Sequence, residues 1–75
     1  MKVGKALAFA QLIEIFLTYR ILSKEEFIER FELTEDQFHR YMADAKKYFA
    51  LFHNDSEIVY AKGEGVYRLQ PIRKR

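Results

Sequence analysis

Seventy-five residues, 49% of them hydrophobic and twelve of them Phe or Tyr, make one small domain whose core must lean on aromatic side chains. The absence of cysteine excludes disulfides and thiolate metal sites, and a chain this short has little room for a deep substrate pocket. The net charge of +2 is unevenly spread: residues 1–22 carry +2, 23–37 carry −4, 38–53 carry +2, 54–65 carry −2 and 66–75 carry +4.

The first predicted element is a helix over about residues 5–20. Leu12, Ile13, Phe16 and Tyr19 (or Arg20) repeat at helical spacing, with Phe9 one turn earlier. Leu7, Ala8 and Ile15 make other parts of its surface apolar, so the helix calls for cover on more than one side. That points to a second copy of the chain joined through helix one. The apolar run Ala6–Leu17 is broken by Gln11 and Glu14 and is too short to span a bilayer, and no cleavage signal follows it. The expected protein is soluble and cytoplasmic, with no membrane partner.

A second helix is expected over about residues 24–31. Ser23 and Glu26 have the spacing of a capping box, and Phe27, Ile28 and Phe31 form the inner side. A third is expected over about residues 35–52, opened by a second capping box from Thr34 and Gln37. Phe38, Met42, Ala45 and Phe49 form its inner stripe, with Tyr41 and Phe52 on the flank. Two capped starts eleven residues apart describe a helix-turn-helix. After the loop signal HNDS, the period changes to two. Residues 57–70 then read as a β-hairpin turning at Lys62-Gly63-Glu64-Gly65, and a basic tail follows at 71–75.

Nothing in the chain reads as a catalytic constellation, a phosphate-cradling glycine loop or a cofactor motif. His39 and His53, fourteen residues apart with no cysteine, do not form a zinc pattern. The expectation is a non-enzyme with no cofactor, no metal and no small-molecule substrate.

The order helix, short apolar segment (Ile21–Leu22), helix, turn, helix, hairpin resembles the winged helix-turn-helix domain of bacterial transcription regulators. The nearest likeness is to DeoR-type and WYL-type repressors, whose motif often reads EELAERFGVSERTIRRDIKAL. Residues 25–45 here read EEFIERFELTEDQFHRYMADA, and Gly65–Leu69 reads GVYRL where those domains often end their wing in G-Y-R-L. Glu32 replaces the turn glycine of that pattern, His39 its first arginine and Tyr41 its acid. The resemblance implies an α+β fold of three helices followed by a β-hairpin wing. It also implies double-stranded DNA as partner, with helix three as recognition helix in the major groove and the wing and basic tail on the backbone.

On helix three, Asp36, Arg40, Ala43 and Lys47 share an outward stripe, flanked by Gln37, His39 and Asp44. Gln37 has the donor and acceptor that an adenine edge requires, and Arg40 the fork for guanine or phosphate. Ala43 leaves room for the groove wall, while Lys46 and Lys47 suit phosphates. Lys62 at the hairpin tip, Arg68 on a strand, and Arg73, Lys74 and Arg75 complete the candidate DNA contacts. Glu35 and Asp36 suit the helix dipole but repel phosphate. The alternative is a protein-interaction module, using either the acidic surface of helix two or the apolar face of helix one.

Overall fold

The computed structural model describes residues 4–72, so Arg73, Lys74 and Arg75 lie outside the described residues. Its elements run α1 (Lys5–Tyr19), β1 (Ile21–Ser23), α2 (Lys24–Phe31), α3 (Glu35–Phe52), β2 (Ser56–Ala61) and β3 (Val66–Pro71). The chain is α+β, with three helices and a three-stranded antiparallel sheet in the order β1-β3-β2. No helix among the described residues is long and apolar enough to cross a membrane.

Each helix boundary has a local cause. α1 stops at Tyr19 because Arg20 takes the left-handed conformation (φ 64°) and returns its N–H to the Phe16 carbonyl at 2.9 Å. At the start of α2, the Ser23 hydroxyl accepts from the Glu26 N–H at 3.4 Å. Only this half of the expected box is made there, whereas Thr34 and Gln37 make both halves. α2 ends in a Schellman arrangement. Glu32 is left-handed (φ 55°, ψ 49°), its N–H reaches the Glu29 carbonyl, and the Leu33 N–H reaches the Ile28 carbonyl at 3.0 Å. The Ile28 and Leu33 side chains both pack against the core, the hydrophobic contact that goes with this motif.

Glu32 therefore holds a conformation that costs an ordinary L-residue roughly 1–2 kcal/mol and glycine almost nothing. Glycine's greater freedom in the unfolded chain returns part of that. Glu32→Gly is expected to stabilise by about 0.5–1 kcal/mol and to raise Tm by roughly 2–8 °C. A melt showing a lower Tm for the variant would contradict the left-handed turn.

The core joins all the elements. Leu12, Ile13 and Phe16 of α1 meet Phe27 of α2, Phe38, Met42, Ala45 and Phe49 of α3, and Leu22, Ile58 and Leu69 of the sheet. Phe16 and Phe49 meet edge to face, with ring centroids 6.0 Å apart at 87°. β1 was legible only as a short apolar segment. It pairs with β3 (Ile21↔Arg68, Leu22↔Tyr67, Ser23↔Val66) and buries Leu22 in the core.

Two apolar assignments are corrected. Tyr19, expected in the buried stripe of α1, is 70% exposed, and Phe52, expected to flank the inner side of α3, is 68% exposed. Both are the last residues of their helices and overhang the packed body.

Candidate nucleic-acid interface

The face of α3 opposite the core is set by the helical period. Phe38, Met42, Ala45 and Phe49 are buried, which turns Asp36, Arg40, Ala43 and Lys47 to solvent, with Gln37, His39, Asp44 and Lys46 exposed beside them. Arg40 and Lys47, seven residues apart, are separated by roughly 10 Å along the axis, within the width of a major groove. Asp36 and Asp44 each stand four residues from Arg40, yet among the described residues Arg40, Lys46 and Lys47 make no ion pair. Their charge is free to meet an external anion.

The acids at the front of α3 are not equivalent. The Lys24 amine lies 3.5 Å from the Glu35 carboxylate, which ties the first residue of α2 to the first of α3 and offsets one of the two charges there. Asp36 has no such partner among the described residues. This pairing joins side chains eleven residues apart in different elements, so periodicity gave no sign of it.

Two candidates are more constrained than their types suggest. The Gln37 Oε1 accepts from the Thr34 N–H at 2.9 Å, while the Gln37 N–H donates to the Thr34 hydroxyl at 3.1 Å. Reading an adenine edge with both ends of the amide therefore competes with the cap, while the NH₂ end remains a donor. Arg68 is an exposed strand residue whose guanidinium donates to the Glu64 carboxylate at 2.7 Å. This pair braces the hairpin turn, and the Arg68 side chain stays 47% exposed within it.

The hairpin tip is built by its glycines. The Glu64 N–H returns to the Ala61 carbonyl at 3.1 Å across Lys62 and Gly63, and Gly63 has φ +91°, the positive value that the third position of a type II turn demands. This turn carries Lys62 exposed at its corner. His39 is exposed with its ring edge-on to Phe38, centroids 6.0 Å apart. Among the described residues no three His, Cys, Asp or Glu side chains are placed to hold a metal ion.

The face has a limited electrostatic field. All eleven acids fall within the described residues, but Lys2, Arg73, Lys74 and Arg75 do not, so residues 4–72 carry nine bases and a net charge of −2. Among the described residues seven of these bases are exposed without an ion pair: Arg40, Lys46 and Lys47 on α3, Lys62 in the hairpin turn, and Lys5, Arg20 and Arg30 elsewhere. No family model, curated protein or solved structure matches the chain.

Proposed function

We propose that the chain is a winged helix-turn-helix that binds double-stranded DNA, as a transcription regulator or the DNA-binding part of one. The observation that carries the reading is the outward face of α3, where Arg40, Lys46 and Lys47 are exposed around the small residue Ala43 and have no ion-pair partner among the described residues. The element order supports it: a helix, a short strand, two capped helices joined by a tight turn, and a hairpin that closes the β1-β3-β2 sheet.

In this reading α3 enters the major groove. Arg40 forks onto a guanine edge or a phosphate, and His39 and the NH₂ of Gln37 donate beside it. Lys46 and Lys47 take phosphates flanking the groove. Lys62 at the wing tip and the basic residues Arg73, Lys74 and Arg75 add backbone contacts, and Arg68 supports the wing through Glu64. Base contacts are few, so most of the affinity is electrostatic.

Fluorescence anisotropy with a labelled mixed-sequence duplex tests this. The logarithm of the binding constant is expected to fall linearly with the logarithm of salt concentration, by about 0.9 for each phosphate neutralised. A second reading, a protein-contact module, draws on the net charge of −2 of residues 4–72. Absence of duplex binding at low salt would favour it and remove the first.

A further inference from the structure

β2 is an outer strand of the sheet, and its free edge carries open backbone groups. The Ile72 N–H donates to the Asp55 carbonyl at 2.9 Å, and the register continues through Glu57↔Gln70, Val59↔Arg68 and Ala61↔Val66. By antiparallel alternation these residues exchange their bonds with β3, so Ile58 and Tyr60 turn N–H and C=O to the open edge. Ser56, next in that series, spends its N–H on the His53 carbonyl at 3.0 Å. The strand reads SEIVYA, with no lysine, proline or break in register to blunt the edge.

Beside the hairpin tip, between α2 and the start of α3, lies a groove of about 510 Å³. Ile28, Leu33 and Tyr60 supply its apolar surface, and Glu25, Glu29 and Glu35 its charge. Its one cation, Lys24, is held by Glu35. The groove suits an extended basic segment. The chain contains a basic run, Arg73-Lys74-Arg75, directly after the exposed Ile72.

We propose that a second copy of this chain docks edge to edge along β2, about a twofold axis at Val59, and lays its residues 73–75 in this groove. Antiparallel pairing of the two β2 strands places Ile58 opposite Tyr60 of the other copy, and the reverse, giving two hydrogen-bonded pairs. Glu57 then faces Ala61, so no like charges oppose each other.

The same pairing sets the base of one hairpin beside the tip of the other. Within one copy the tail cannot reach the groove: Gly65 and Ile72 are seven strand residues apart, roughly 23 Å, while three residues span about 10 Å. Between copies it can. Ile72 of the second copy then stands about 15 Å from Gly65 of the first, three strand spacings, a gap that three residues together with an arginine side chain span. The charges complement, since residues 4–72 carry net −2 and the tail carries three cations. The α1 face has neither asset: it leaves Leu7 and Leu17 exposed but offers no backbone edge. The proposal rests on none of the DNA contacts; a tail held in the groove takes no part in them and leaves DNA to α3 and Lys62.

The test is sedimentation velocity on the full chain at low salt, with melts confirming that each variant folds. The wild type is expected to form a dimer that dissociates as salt rises. Glu25→Lys with Glu29→Lys, and separately Arg73→Glu with Lys74→Glu and Arg75→Glu, should each be monomeric alone. An equimolar mixture of the two should recover the dimer, because each reversed groove then meets a reversed tail. Val59→Lys, which sets two amines at the axis, should be monomeric. The proposal is overturned if the wild type is monomeric, if either reversed protein dimerises alone, if the mixture stays monomeric, or if Leu17→Glu dissociates the wild type while Val59→Lys does not.

Discussion

Phe38→Ala is expected to destabilise the protein by about 3–5 kcal/mol, the usual range for a buried phenylalanine truncated in a packed core. Phe38 is fully buried, with ring centroids 6.2 Å from Phe27 of α2 and 5.7 Å from Tyr67 of β3. One side chain thus ties α3 to both its helical and its sheet neighbours. A 75-residue domain has a total stability of roughly 4–11 kcal/mol, so the loss is a large share of the whole. Urea unfolding followed by far-UV circular dichroism measures it. Leu51→Ala, at a residue 73% exposed on the same helix, should change stability by no more than about 0.5 kcal/mol. Equal effects from the two substitutions would mean that α3 does not pack as described.

Arg40→Ala is expected to weaken duplex binding by roughly 5- to 150-fold, the range for loss of one base- or phosphate-contacting arginine. Stability should hardly change, because Arg40 is exposed and makes no ion pair among the described residues. The two contact types separate by readout. If Arg40 reads a guanine, the variant loses discrimination between duplex sequences and keeps its salt slope. If Arg40 holds a phosphate, all duplexes weaken alike and the slope falls by about one. Lys47→Ala should follow the second pattern. Wild-type affinity in both variants would remove the α3 face from the proposal.

The strongly periodic parts of the fold were legible in the sequence. The stripe Phe38, Met42, Ala45 and Phe49 is buried as its spacing required, because an eighteen-residue helix repeats its period often enough to identify the inner side. Thr34 with Gln37, and Gly63 with Gly65, marked the start of α3 and the turn of the hairpin through local chemistry alone. β1 escaped because three residues hold no period and its partner β3 lies more than forty residues away. Tyr19 and Phe52 kept the period but ran past the edge of what the helices pack against.

The candidate site was legible as a set of exposed positions and much less so as a set of free charges. Arg40, Lys46 and Lys47 stand exposed on α3, as their phase dictated. Arg68 is engaged by Glu64 four residues away across the hairpin turn, and Glu35 by Lys24, a pair that depends on where α2 and α3 meet. The groove beside the hairpin tip escaped for the same reason, since it takes Ile28, Leu33 and Tyr60 from three parts of the chain.

The most direct measurement is a ¹⁵N amide titration of the protein with a mixed-sequence DNA duplex at low salt. The expected result is a contiguous set of shifts over the exposed side of α3, from Asp36 to Lys47, joined by shifts at Lys62 and its neighbours in the hairpin turn, all reversed by added salt. Shifts confined to α2 or to the α1 surface, or none on either α3 or the hairpin, would contradict DNA binding through this face.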